Sequence, residues 1–323
     1  MTGGADSTDT AAEHSEMLPL AVAVELATAF ATSTATNLGA RSLVIKGKVA
    51  SHYGLRKPRV SADTDILVEP TKHLAVVEAL EQLGWRERPM WQASAEASPY
   101  STSLIHDAWP CDIDVHAHFP GFLAAPSDTF DRLWDDRREL DFAGVACPIP
   151  GQVGAMLVAA LHGVRPSGSP ERAASELAAV GTAIDATDPD TRERLARLAE
   201  ATGASGPLAP FLAEHGVTAR YELTPALRAW RVLTAGGATY TGNVASTLVG
   251  KPLRVKLHLV RLAAWPSADD VRYANPELPD RRSARTWVRL QRLGRGAAQS
   301  PKAIAALARS RNQEGDAPHD NAT

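Results

Sequence analysis

Two short acidic patterns stand out in the chain. Asp63 and Asp65 open the apolar run Ile66-Leu67-Val68, and Asp112 and Asp114 are interleaved with Ile113 and Val115. Residues i and i+2 of a strand share a face, so each pattern projects two carboxylates together. Like charges so placed repel, and a carboxylate is costly to bury without a partner. A hard divalent cation is a fitting counter-charge, because Mg²⁺ (or Mn²⁺) takes oxygen ligands and is usually held by a few carboxylates together with phosphate oxygens. A single Asp-x-Asp reads as a solvated strand edge, since such short motifs recur by chance. Two of them, each on an alternating strand, would bring three or four carboxylates to one place if the strands are neighbours.

Basic residues lie just upstream. Lys46-Gly47-Lys48 sits where an apolar strand gives way to a helix, and a glycine there lets backbone N–H groups approach a phosphate. Arg56, Lys57 and Arg59 follow. Taken alone they are a solvated basic loop; beside a carboxylate–metal site they suit a triphosphate. Arg59 ranks above Arg56 and Lys57 because it is nearest the acidic strand. His116 shares the face of Asp112 and Asp114, where it could orient Asp114, contact substrate, or simply be hydrogen-bonded in place. His106-Asp107 reads as a polar turn, and His162 as a helix C-terminal histidine favoured by the dipole.

The elements that must carry these residues follow from periodicity and punctuation. A helix is expected over 17–33, a strand over 42–47, a short helix over 48–54 and a strand over 63–69. Thr71 is placed to cap a helix with Leu74, Val77, Leu80 and Leu83 on one face, ended by Gly84. Strands at 98–105 and 111–119, joined by a turn at 107–110, suggest an antiparallel hairpin, and RELDF with VACPI around Gly144 suggests a smaller one. After residue 150 strand signals cease. Helices are expected near 151–163, 171–185, 189–202, 207–214, 223–235, 243–264 and 280–293. The fold class is therefore α+β followed by all-α: a disordered tail over 1–15, a catalytic domain over 16–150, a helical domain over 151–295, and a basic then polar tail over 296–323.

Composition narrows the classes. At 44% hydrophobic and 22% charged residues, the 323-residue chain has the balance of a globular protein, and its net charge of −3 excludes a polycation. Cys111 and Cys147 form neither a disulfide framework nor a zinc pattern. The first apolar run follows Asp6, Asp9, Glu13 and Glu16 rather than basic residues, and no stretch is apolar enough to span a bilayer, so a cytoplasmic protein is expected. Charge is nevertheless segregated: residues 251–311 hold 14 Lys and Arg against 4 Asp and Glu. Arg281, Arg285, Arg289 and Arg292 recur at helical spacing. That stripe is either a solvated face or a polyanion site for RNA, DNA or a nucleotide.

The stretches LVIKGKVASHYGLRKPRVSADTDILVE and CDIDVHAHF together resemble the uncharacterised nucleotidyltransferase family of the DNA polymerase β-like superfamily. The matching positions are Lys46-Gly47, Arg59, Ser61 with Asp63 and Asp65, and Ile113-Asp114-Val115-His116. MLVAALHG (156–163) and AAWPSADDVRYANPEL (263–278) resemble the family more weakly. Gly47-Lys48 stands where the wider superfamily has Gly-Ser. The resemblance implies a polymerase β-like mixed sheet with flanking helices. It also implies Mg²⁺ (or Mn²⁺) held by Asp63, Asp65 and Asp114, and an NTP such as ATP contacted by Lys46, Gly47, Lys48, Arg59 and Ser61. The reaction would transfer NMP to a hydroxyl of an acceptor (small molecule, sugar, peptide or protein) and release pyrophosphate. His116 and Asp112 would support the ligands or touch substrate. Two other readings stay open: a nucleic-acid-binding or toxin-like regulatory protein with a vestigial catalytic sheet, and a metal phosphohydrolase.

Overall fold

The computed structural model describes residues 18–89, 101–166, 169–235, 246–249, 251–275, 277–279 and 281–312. The expected tail at 1–15, residues 313–323 of the tail expected over 296–323, the first residues of the 98–105 strand and the start of the 243–264 helix lie outside these; residues 296–312 of that tail instead continue the helix expected over 280–293.

Helix α1 (Leu20–Asn37) is rich in alanine, and Ala23, Ala27, Ala31 and Ala35 recur every four residues as a fully buried row. Small side chains on one face let a helix lie close to a sheet. That sheet has five strands in the order β1-β2-β5-β4-β3: β1 (Ser42–Ile45), β2 (Asp63–Val68), β3 (Arg86–Glu87), β4 (Ser101–Ile105) and β5 (Asp112–His116). It is mixed. β2 pairs antiparallel with β1 but parallel with β5, and β4 pairs antiparallel with β5, as the hairpin reading requires. Helix α2 (Gly47–His52) follows β1, and α3 (His73–Gln82) follows β2.

Thr64 and Ile66 turn to the α1 side, where the Thr28 and Thr64 hydroxyls meet at 2.5 Å. Side chains alternate along the strand, so that contact commits Asp63 and Asp65 to the opposite face. In β5, Ile113 and Val115 are fully buried, and Asp112, Asp114 and His116 take the other face.

The structure changes two local expectations. Thr71 is not a helix cap; Pro70–Lys72 forms a 3₁₀ turn and α3 begins at His73. The buried face of α3 is His73, Val76, Val77 and Leu80, whereas Leu74 and Leu83 are exposed. His73 takes the inward position because its Nε2 lies 3.1 Å from the Val115 carbonyl oxygen, which satisfies a polar group in the core.

Helix α4 (Pro126–Asp135) leads to the hairpin β6 (Arg138–Phe142) and β7 (Val145–Ile149). Beyond it the described chain is helical: α5 (Gln152–Val164), α6 (Pro170–Asp185), α7 (Pro189–Ala201), α8 (Ser205–Glu214), α9 (Pro225–Ala235), α10 (Leu253–Ala264), α11 (Ala268–Ala274) and α12 (Arg282–Asn312). α11 was not expected from sequence; a Ser267 capping box with Asp270 sets its start. Helix α5 is apolar nearly all round and is buried accordingly. A single hydrophobic cluster runs from Ala23 of α1 through the sheet and α5 to Trp230 of α9, continuous across the change to all-helical chain. Among the described residues no helix is long and apolar enough to cross a membrane.

Ile113 sits under the acidic face of β5 with no solvent exposure. Ile113→Ala is expected to cost about 2–5 kcal/mol, the range for truncating a buried aliphatic side chain. Chemical denaturation would show a lower midpoint at unchanged slope.

Candidate functional site

The parallel register of β2 and β5 sets Asp63 opposite Asp112 and Asp65 opposite Asp114. The two patterns therefore lie on adjacent strands. Ligand atoms of Asp65, Asp114 and His116 all fall within 4.8 Å of one another. Asp65 is 4% exposed, and the Ser103 hydroxyl of the neighbouring strand β4 donates to Asp114 Oδ1 at 2.5 Å.

Lys46 supplies the positive charge that these carboxylates require from the protein itself. It leaves β1 with φ of 60° and is followed by Gly47 at φ of 40°, a left-handed turn that only glycine adopts without strain. The turn swings the Lys46 side chain back across the sheet, and its ammonium is ion-paired with Asp65 Oδ1. His116 Nε2 reaches the same oxygen at 2.9 Å. His116 thus positions Asp65 rather than Asp114.

The charges do not balance. Burial pushes the Asp65 carboxyl up, but Lys46 and His116 outweigh it and hold it at about 2, below the ordinary 3.8. Burial pushes the Asp63 and Asp114 carboxyls up, and the Asp65 charge pushes them further. Burial would lower Lys46; Asp65 first, then Asp114 and Asp63, reverse that and raise it. Three carboxylates face one ammonium. This donor set fits a divalent cation, which would relieve the two raised carboxyls.

Asp63 and Asp65 lie on the floor of a cavity of about 510 Å³, within the 300–1,000 Å³ range of small-molecule sites. One wall is apolar, from Val49 and Ala50 of α2 and Ala155, Val158 and Ala159 of α5. The other is basic. Arg56 is buried and donates to Ser51 Oγ, to the Arg59 carbonyl and to Ser61 Oγ, at 3.1, 3.1 and 3.3 Å. Arg59 is ion-paired at 3.0 Å with Glu176 of α6.

Lys46, Gly47, Ser61, Asp63, Asp65 and Arg59 line this cavity, whereas Asp114 and His116 are not among its lining residues. Nor does Lys48 line it. Its ammonium lies over the Phe142 ring, bonded to Glu25 at 2.7 Å and the Asp141 carbonyl at 2.9 Å, on the side of β6. Position i+2 from Lys46, at the start of a helix rather than on a strand, turns it to another face. Asp112 is ion-paired with Arg88 at the sheet surface; both it and Asp63, expected as a ligand, are outside the group of Asp65, Asp114 and His116 whose ligand atoms converge.

Distance along the chain favours Arg59 over Arg56 as the basic residue nearest the acidic strand. In the fold Arg56 is the one driven inward, beneath Ser61. His162 stands in the last turn of α5, as expected, and also lines the cavity, its pKa lowered to about 4 by burial and by Lys46 and Arg165. Arg172 and Glu176, one helical turn apart on α6, reach the cavity from a region with no recognisable motif. The stripe on α12 is partly consumed by packing. Arg289 donates to the Pro266 carbonyl at 2.8 and 3.0 Å and lies over the Trp265 ring, and Arg292 donates to the Ala263 carbonyl.

No protein-family model and no curated protein matches the chain. Among solved structures it is similar to the lincomycin-bound lincosamide antibiotic adenylyltransferase LnuA, at 18% identity and a TM-score of 0.30, over 41% of this chain and 82% of that one. It is also similar to an antigenic nucleotidyltransferase-like protein from Paracoccidioides brasiliensis, at 10% identity and a TM-score of 0.37, over 61% of this chain and 94% of that one. At these scores the functional reading is left to the side chains themselves.

A carboxyl raised by burial and repulsion withdraws stability as pH climbs through its folded pKa; one depressed by pairing adds stability above its unfolded pKa that fades as pH falls toward its folded value. Asp63 is the first kind, and Asp65, between 3.8 and about 2, the second. Near neutral pH, Asp63→Asn is expected to raise the melting temperature in EDTA by a few degrees and to shrink the rise that Mg²⁺ gives the wild type. Scanning calorimetry in EDTA and in Mg²⁺ checks both, and a lower melting temperature in EDTA would contradict the crowding.

Proposed function

We propose that the chain is a metal-dependent nucleotidyltransferase that moves NMP from an NTP to a hydroxyl-bearing acceptor. The observation that carries this reading is the side-by-side placement of Asp65 and Asp114 on parallel neighbours, with Asp63 beside them on the floor of a cavity with a basic wall. Asp63, Asp65 and Asp114 would hold Mg²⁺ or Mn²⁺, with His116 fixing Asp65. The ions would supply charge neutralisation at the phosphates and lower the pKa of the attacking hydroxyl.

The chain's own residues do the rest. Lys46 keeps Asp65 ionised. Ser103 holds one oxygen of Asp114 and leaves the other to take the acceptor's proton. The acceptor oxygen forms a bond to the α-phosphorus, the bond from that phosphorus to the bridging oxygen breaks, and pyrophosphate departs toward the basic wall of Arg56 and Arg59. Phosphoryl chemistry of this kind is chiefly positioning and electrostatics, which the rigid strands and buried charges suit. The nucleic-acid-binding alternative is less well supported, because Arg289 and Arg292 are occupied in holding α12 to its neighbours.

With Mg²⁺, α-labelled NTPs and a cell extract, the protein is expected to transfer label to an acceptor and release pyrophosphate. Asp65→Asn and Asp114→Asn, confirmed folded by circular dichroism, should each lower transfer by at least about 10³-fold. Release of inorganic phosphate in place of pyrophosphate would point to a phosphohydrolase. Salt-sensitive RNA binding that survives Asp63→Ala, without turnover, would point to a binding protein.

A further inference from the structure

Helix α10 is apolar on a side that no described residue covers. Leu253, Leu257 and Val260 fall at i, i+4 and i+7, which aligns them in one stripe, and they are 70, 62 and 45% exposed. The helix is held to the protein elsewhere. Leu259 is buried, and Arg289 and Arg292 of α12 donate to the Pro266 and Ala263 carbonyls at its C-terminal end. A surface helix ordinarily buries its aliphatic residues and turns its charges to water. Here three aliphatic side chains face outward.

The charges border the stripe instead. Successive residues are about 100° apart round a helix, so Arg254 and Arg261 run along one edge of the stripe and Lys256 along the other. Among the described residues none of the three is ion-paired. Residues 251–265 hold Lys251, Arg254, Lys256 and Arg261 and no Asp or Glu. The wider segment 251–311 has 14 basic against 4 acidic residues although the whole chain is at −3. In that segment α12 also exposes Trp287, Leu290 and Leu293.

An aliphatic stripe edged by cations calls for a partner that is apolar within and negative at its margin. An anionic lipid surface is built so. Its acyl chains take the leucines, and its headgroup phosphates take the Lys and Arg heads, whose methylene stems lie along the apolar boundary. RNA offers the charge, but single strands are held by stacking on aromatic rings, and α10 has no Phe, Tyr or Trp. A stable contact between copies takes about 800 Å² from each partner, more than a stripe of three side chains presents.

We infer that α10 is an interfacial helix that docks the protein on an anionic lipid surface. Leu253, Leu257 and Val260 enter the headgroup boundary, and Arg254, Lys256 and Arg261 meet the phosphates. None of these residues lines the cavity over β2, so the docking is independent of the proposed chemistry and stands or falls without it.

Cosedimentation of the full chain with vesicles tests the docking. Binding is expected on vesicles of equal parts phosphatidylglycerol and phosphatidylcholine, at least about tenfold weaker on phosphatidylcholine alone, and falling as salt is raised. Leu253→Gln with Leu257→Gln, and separately Lys256→Gln with Arg261→Gln, should each weaken it about tenfold or more, two aliphatic side chains or two surface cations being worth at least that. The melting temperature should hardly move in either variant, as befits surface positions. No binding to the mixed vesicles, equal binding to both kinds, or binding that the leucine pair leaves intact overturns the docking. Retention of single-stranded RNA without vesicle binding overturns it in favour of a nucleic-acid surface. A dimer in sedimentation velocity that the leucine pair dissociates, again without vesicle binding, overturns it in favour of a contact between copies.

Discussion

Two carboxylates on adjacent parallel strands repel each other, and the register of β2 and β5 forces Asp65 and Asp114 into that relation. Much of the surrounding architecture manages the repulsion. The α1 row of alanines lets the helix close on β2, and the contact of Thr28 with Thr64 fixes which way the strand faces. The His73 ring bonds the Val115 carbonyl and steadies β5 from beneath. Ser103 ties down one oxygen of Asp114 from the next strand. Each contact holds the acidic face without touching the cavity, so the carboxylates are presented in place rather than assembled on demand.

The Lys46 turn is a costly local feature. A non-glycine residue at positive φ stores strain, and a buried ion pair seldom repays its desolvation against a hydrophobic replacement. A chain selected for stability alone would dispense with both. Both occur at one residue that lines a cavity and pairs with a buried carboxylate. Lys46 also shows that protein and ion are complements here: one ammonium settles one carboxylate and leaves two above their ordinary pKa.

Legibility in the sequence divides by range. The Asp-x-Asp patterns could be read because strand alternation is a local rule, and their convergence needed only the assumption that the strands are neighbours. The Lys46-Gly47 turn was legible from another local signal, a glycine where an apolar strand gives way to a helix. The fate of Lys48 was not, since it depends on Glu25 and on the Asp141 carbonyl far along the chain. Arg56 was underrated because nearness in sequence to the acidic strand is a poor guide once a turn intervenes. The inward face of α3 was misassigned because a histidine with a distant carbonyl partner outcompeted Leu74 for the core. Arg172 and Glu176 sit in an alanine-rich helix with nothing local to mark them, so only the packing of α6 against α5 discloses them.

The cavity has walls of unequal permanence. Its floor is carried by β2, which has a neighbour on either side and is buried along nearly its whole length. Change there would disturb the core. Its far side is carried by α6, where Arg172 is exposed and Glu176 only partly covered. Substitutions on that helix would change the lining of the cavity while leaving the strands of its floor undisturbed. The side of the cavity carried by α6 is thus free to vary at little structural risk, whereas the side carried by β2 is not.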